Sequence, residues 1–456
     1  MSKNKQNPDL GTGSMPKLMA KMAIPTVVAQ VVNLLYNIVD RIYIGQGVGA
    51  LALTGVGLCM PLMMFMNAFA MLAGTGGAPL AAIAMGRNDK ERADKILANC
   101  FTMLLICAAG ITVLYLTAAE PLLMMFGASE QTLPYAMGYM NIVSVGAVFT
   151  LITMGLNNYL TTQGFSTFAM MTTVLGAVTN IILDPVFIFG FDLGVKGAAL
   201  ATVISQAVSA TFVVWFLTKS KKSVLKIKLP NMRLEGQVIG PCLALGISGF
   251  VMVATESLLS ISFNSSLQRF GGDLAVGSMT IITSCSQLAS MPASGIAQGC
   301  QPIVGFNFGA GKHDRVKQCF YLQLAIAGGY TILFWLASML VPQVFVQIFN
   351  NDPALVEHTV WAMRIYMAGI FSLGFQLTCQ QSFIALGQAK ISLFMACLRK
   401  LILLIPLIFI LPMFFENKVF AVFLAEPVSD IIAALATTGT FFFRFDKILK
   451  EGAKAA

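Results

Sequence analysis

The sequence predicts an all-α integral membrane protein, with twelve transmembrane helices in two six-helix lobes related by a pseudo-two-fold axis along the membrane normal. Three observations lead there. The 456 residues are 57% hydrophobic and only 11% charged, with a mean hydropathy of +0.79, whereas a soluble domain carries about 25% charged residues. The apolar residues gather into twelve stretches, each long enough for the roughly 20 residues that a spanning helix needs. The second half of the chain also repeats the first at a constant offset.

The stretches run over about 17–44, 51–84, 94–117, 133–155, 165–189, 196–218, 237–266, 274–307, 316–340, 356–384, 390–413 and 419–443. The first sixteen residues are polar and the first stretch is too long for a signal-peptide core, so it is expected to stay as the first span. Pro25 interrupts it and removes a backbone donor, giving either a static kink or a bend that answers to Asp40 further along. The longest polar break, Lys219 to Arg233, holds six basic residues and Pro230. It reads as a linker (219–233) between an N-terminal lobe (1–218) and a C-terminal lobe (234–456), and equally as a basic segment for anionic lipid.

Of the 29 Lys and Arg, 22 fall in the two tails and the alternate loops on one side, and 4 on the other. This bias predicts a multi-pass protein of the cell (inner) membrane with both termini cytoplasmic. It also explains the net charge of +9 without nucleic acid. The nine cysteines form no CxxC and there are only two His, so the thiols read as small packing residues and no cofactor is expected. Exposed loops are short, which implies no soluble partner domain, and the chain is read as a monomer among membrane lipids.

At an offset of 223 residues, Gly49 meets Gly272, Gly76 meets Gly299, Pro79 meets Pro302, Gly86 meets Gly309, Arg92 meets Arg315 and Gly164 meets Gly387. Six helices per half is an even number, so both halves share one topology. Parallel repeats of this kind suit a transporter that rocks one half against the other around a midplane cavity.

Ionisable residues inside spans are costly and functional by default. The first and fifth stretches carry Asp40 and Asp184, with Asn37, Tyr36 and Asn180 on the same helical faces by i,i+4 or i,i+3 spacing. Tyr139 and Thr202 fall at a similar depth in the fourth and sixth. Two close, desolvated carboxyls disfavour double ionisation, so one would hold a proton. Alternatively Na⁺, a hard cation preferring oxygen ligands, would bind Asp40, Asn180, Asp184 and Thr202. The bland reading is local capping near the interface. The offset pairs Asp40 with Phe263, Asn180 with Leu403 and Asp184 with Leu407, which would confine ion coupling to the N-terminal half. In the other half, Glu256 reads as a group for a cationic substrate, a second proton carrier, or the partner of Arg399 or Lys400. Glu426 and Asp430 would pair with those same bases. Met63, Phe65, Met66 and Phe69 would line an adaptable cavity or face lipid.

Pro25, the run Tyr36-Asn37-Ile38-Val39-Asp40-Arg41 and the motif Asn180-Ile181-Ile182-Leu183-Asp184-Pro185 resemble the multidrug and toxic compound extrusion family. That family sits within the multidrug/oligosaccharidyl-lipid/polysaccharide flippase superfamily. The Gly-rich segments before Arg87 and Lys312 resemble it too, and the likeness covers the chain from first helix to last. It implies a two-lobed, V-shaped antiporter, not an enzyme, exchanging H⁺ or Na⁺ for drugs and other organic cations. By this resemblance Asp40, Asn180, Asp184 and Thr202 look like the coupling residues, with Tyr36 and Tyr139 beside them, and Glu256 looks like an acidic residue of some branches. The competing reading is a flippase for a lipid-linked saccharide, which would need intramembrane bases to hold phosphate; the three within spans all lie in the C-terminal half.

Overall fold

Hydrocarbon offers no partner for a backbone N–H or C=O, so apolar stretches of this length must bond internally as helices. The computed structural model describes residues 10–349 and 352–454 and places α1 at Met15–Gly47, α2 at Ala50–Gly86 and α3 at Lys90–Met125. Next come α4 at 133–162, α5 at Ser166–Gly190 and α6 at Gly194–Thr218. One continuous run, Gly236–Gly309, covers the seventh and eighth stretches. Its 74 residues would measure roughly 110 Å at 1.5 Å per residue, against about 30 Å of hydrocarbon. Gly272, at φ 61° and ψ −158°, breaks it, leaving α7 (236–271) and α8 (273–309). Then follow α9 at His313–Leu340, α10 at Pro353–Ala385, α11 at Ala389–Met413 and α12 at Lys418–Lys454.

Ten helices among the described residues are long and apolar enough to span, eleven when the bent α4 is taken as one. Dividing the long run at Gly272 gives the twelve expected. Two stretches differ from expectation. Helix α4 does not stop near 155 but turns by 58° at Gly146 and continues to Thr162. Helix α10 winds tightly through Met367–Ser372 in its middle. Helix α11 instead widens into π-helical turns over Leu398–Leu404, a distortion common at functional positions.

The backbone carries the repeat more plainly than the side chains do. Three pairs of left-handed residues match at the 223-residue offset: Gly49 (φ 112°) with Gly272 (61°), Asn88 (62°) with Gly311 (69°), and Gly164 (86°) with Gly387 (70°). The close approaches between lobes are reciprocal as well. A Cβ on Gly86 would lie 2.1 Å from the Phe306 carbonyl oxygen, and one on Gly309 would lie 2.1 Å from that of Ile83. Ile83 and Phe306 are themselves repeat mates. Gly76 likewise presses on Gly246, while Gly299 presses on Ala23. Contacts that exchange roles in this way are the signature of a pseudo-two-fold axis. Further along the interface Phe65, Phe69 and Phe250 meet edge to face at 5.1–5.9 Å, so these phenylalanines join the lobes.

The segments leading into α1 and α7 cross to the opposite lobe. Leu10 is buried, and its carbonyl accepts from Asn307 Nδ2 at 2.9 Å, while Lys312 Nζ reaches the Gly11 carbonyl at 2.8 Å. Both Arg315 terminal nitrogens donate to the carbonyls of Gly13 and Thr12 at 3.0 Å. The chain before α7 is held by the N-terminal lobe. Asp94 accepts from Lys226 N and pairs with Lys228, both at 2.9 Å. Asn99 and Thr102 bind the backbone of Asn231, Met232 and Glu235 at 2.8–3.1 Å. Gln163 Oε1 accepts from Ser223, Val224 and Leu225 at 2.7–3.0 Å.

Candidate functional site

The carboxyls of Asp40 on α1 and Asp184 on α5 lie within hydrogen-bonding reach of each other. Helices α1 and α5 pack side by side, and the repeating turn of α5 sets Asn180 directly beneath Asp184. Asn180 Nδ2 donates to Asp184 Oδ1 at 3.2 Å. All three side chains are buried. Asp40 Oδ1, Asn180 Oδ1 and Asp184 Oδ2 are enclosed with no hydrogen-bond partner. Three unpartnered acceptors in one spot are costly, and a proton or a small hard cation would satisfy them.

Tyr139 on α4 is buried, with Thr202 on α6, Asp40 and Tyr36 as its polar neighbours. The structure therefore gathers Asp40, Asn180, Asp184, Tyr139, Thr202 and Tyr36 into one neighbourhood. Asp40 lies about two turns before the end of α1, which runs on past the expected end near 44 to Gly47. The side chain of Asn37 lies outside the described residues. Pro25 is inside α1, between Ala23 and Val27, the two residues that α8 presses against through Gly299 and Gly295.

Next to this group is a cavity of about 270 Å³ between the lobes, walled by α1, α2, α4, α5, α6, α8 and α10. Tyr36 is in its wall; Tyr139 and Glu256 are not. The rest of the wall is rich in amides and hydroxyls the sequence reading missed, among them Gln30, Asn33, Asn157, Gln206, Gln298 and Gln381. The signal was available on α1, where Thr26, Gln30 and Asn33 repeat at helical spacing and lead to Tyr36.

The family model named MatE matches the chain twice, over residues 25–186 and 249–410. The chain belongs to the MatE family. The two matches of this MatE chain begin at 25 and 249, close to the offset of the glycine pairs. Among curated relatives it is similar to the multidrug export protein MepA of Staphylococcus aureus (strain N315), 25% identical over 426 residues and 92% of each chain. Among solved structures, a chain described as protein A is 33% identical, with a TM-score of 0.89 over 96% of this chain and 97% of that one. The outward-facing conformation of a multidrug resistance MATE family transporter shares the fold at a TM-score of 0.91 and 24% identity, covering 99% and 100% of the two chains.

In the C-terminal lobe of this MatE protein the intramembrane charges pair with one another. Arg399 Nε donates to Asp430 Oδ1 at 2.8 Å and Arg399 also lies 3.5 Å from Glu426. Lys400 binds Glu256 and the Met252 carbonyl. Glu256, left open between substrate and ion-pair roles by the sequence, is thus an ion-pair partner here. The third intramembrane base, Arg364, is exposed near the end of the first turn-set of α10. No base lines the cavity.

Proposed function

We propose that this transporter is an antiporter that exports cationic or amphiphilic drugs and metabolites in exchange for H⁺ or Na⁺, by exposing the interlobe cavity alternately to each side of the membrane. The observation that carries the reading is the trio of unpartnered buried oxygens on Asp40, Asn180 and Asp184, one helical turn from Tyr36 in the cavity wall. An acidic pair in hydrocarbon is stable only when protonated or with positive charge beside it. When the coupling ion leaves, a cationic cargo in the adjoining cavity lowers the energy of the exposed charge. When the ion returns, that attraction is lost, and linkage makes the two occupants expel each other.

Helix α1 supports a route from ion to lobe movement. Pro25 cannot donate to the Lys21 carbonyl, so the helix bends most easily there. Ala23 below Pro25 and Val27 just above it both pack on α8, and the part of α1 beyond them carries Tyr36 and Asp40. Cargo drawn from the relatives' description as multidrug exporters fits this scheme. The division into lobes 1–218 and 234–456 about the linker 219–233, cytoplasmic termini and monomeric action in the inner membrane belong to the same proposal, supported by the basic-residue bias.

Ethidium efflux from proteoliposomes, driven by an imposed pH or Na⁺ gradient, tests it on the wild type and Asp184→Asn. The expected result is efflux on one gradient that is lost in the variant, which also names the ion. Efflux that ignores both gradients, or persists in the variant, would overturn the coupling role.

A further inference from the structure

The two lobes fill their matching grooves on the basic side of the membrane differently. In the C-terminal lobe, the end of α8 and the start of α9 grip the chain before α1 by its carbonyls. Asn307 takes Leu10, Lys312 takes Gly11, and Arg315 takes Thr12 and Gly13, all at 2.8–3.0 Å. The 223-residue offset places Ala84 at Asn307, Asp89 at Lys312 and Arg92 at Arg315, with residues 233–236 as the mates of 10–13. Those residues do not come to Arg92. Glu235, the mate of Thr12, bonds instead to Asn99, two helical turns further along α3, and Met232 bonds to Thr102. The mates of Asn99 and Thr102 are Leu322 and Ala325, whose side chains have no hydrogen bond to offer.

What is left beside Arg92 is a cavity of about 400 Å³. Arg87 and Arg92 stand in its wall with exposed side chains. Among the described residues neither guanidinium has a hydrogen bond or an ion pair. Asp89 is in the wall too, but its carboxylate already accepts from the Arg92 backbone N–H at 3.0 Å. Gln237 adds an amide, and the rest of the wall is apolar, Ile83 and Phe308 included. The wall draws on α2 and α3 of one lobe and on α7, α8 and the turn after α10 of the other, so an occupant touches both lobes.

Arg315 shows what such a groove takes, since its fork is filled with oxygens. Arg92 lacks them, and the occupant must bring them. Two Arg against one Asp leave the wall with net positive charge, which favours an anion over a neutral acceptor. Phosphate oxygens match the guanidinium fork in pairs, and the apolar wall suits the carbon chain that a phosphodiester carries. We infer that this groove binds a phosphate headgroup of net negative charge, that of an anionic phospholipid or of a soluble phosphate compound, with Arg87 and Arg92 donating to its oxygens. The interlobe cavity and its cargo play no part in this inference.

The full-length protein in a phosphate-free detergent is titrated with dihexanoyl phosphatidylglycerol, dihexanoyl phosphatidylcholine and inorganic phosphate, with binding read by thermophoresis. The anionic lipid is expected to bind saturably and about tenfold more tightly than the zwitterionic one, as one charge-assisted hydrogen bond contributes. Arg87→Gln and Arg92→Gln, both at exposed positions, should each weaken it about tenfold. The double variant Lys221→Gln/Lys222→Gln removes two charges from the same side of the membrane and should leave it within about twofold, because exposed charges at a distance are screened. Phosphate that binds by itself or displaces the lipid assigns the groove to soluble phosphates; lipid binding that phosphate does not disturb assigns it to the membrane. Equal affinity for the two lipids, no saturable binding of lipid or phosphate, or an equal loss in the linker variant would overturn the inference.

Discussion

The two lobes share a backbone plan and treat buried charge in opposite ways. In the N-terminal lobe Asp40 and Asp184 are neighbours, form no ion pair among the described residues, and keep unpartnered oxygens. In the C-terminal lobe Glu256, Arg399, Lys400, Glu426 and Asp430 close into a paired network. The repeat mates of the N-lobe acids are apolar, and Phe263, the mate of Asp40, is buried against Tyr366 at 5.9 Å between ring centres. The C-lobe balance is not complete, since three acids meet two bases and Glu426 Oε2 has no partner. Even so, the lesson is that a duplicated scaffold can hold charge in tension in one copy and neutralise it in the other. Ion responses should map to the first, and cohesion to the second.

The largest expected effect is in the N-lobe. Asp40→Asn should bring gradient-driven ethidium efflux down to that of empty vesicles, with the protein still inserted and monodisperse; efflux at wild-type rates would erase the contrast between the lobes. Next comes Arg399→Met, which leaves Glu426 and Asp430 buried without their base. It should cost about 3–5 kcal/mol of stability, read as a lower melting temperature in detergent, with partial recovery when Asp430→Asn is added. A melting curve like the wild type's would mean that the network does not hold the lobe together. Phe263→Ala should cost about 3 kcal/mol through the cavity it leaves and should not alter which gradient drives efflux. A changed ion response there would give the C-lobe a share in coupling. The smallest effect has the opposite sign. Asp184→Asn supplies an amide donor beside orphaned oxygens and removes one of two like charges, so it should stabilise the fold by about 1 kcal/mol. A drop in melting temperature would show that the acidic pair is not strained.

Much of this was legible in the sequence because it is local. Apolar length fixes a span, and i,i+4 spacing puts Asn180 under Asp184. The recurrence of Gly49, Gly86 and Gly164 at Gly272, Gly309 and Gly387 marks turns and close approaches that a side chain would block. What escaped notice depends on residues far apart in the chain. Lys400 could be matched to Glu256 or to Glu426 by type alone, and only folding decides, across a separation of 144 residues. The bend of α4 at Gly146 has no proline to announce it. The polar cavity draws on seven helices, each contributing from one to four polar residues that read singly as ordinary hydrogen-bonded groups. The crossed segments before α1 and α7 escaped for another reason, since they are gripped by their carbonyls and amides, which every residue has.

Those crossed segments have a practical consequence for anyone wishing to cut or extend the molecule. The loop between the lobes looks like spare chain, yet from Ser223 to Glu235 it is moored to Asp94, Asn99, Thr102 and Gln163. An inserted reporter domain would peel that mooring away if placed near Asn231. At the exposed pair Lys221–Lys222 it would leave the mooring intact. At the other end of the chain, a fusion joined directly to Leu10 would displace a buried residue, whereas one carried on the nine residues before it would keep the Arg315 and Lys312 grip.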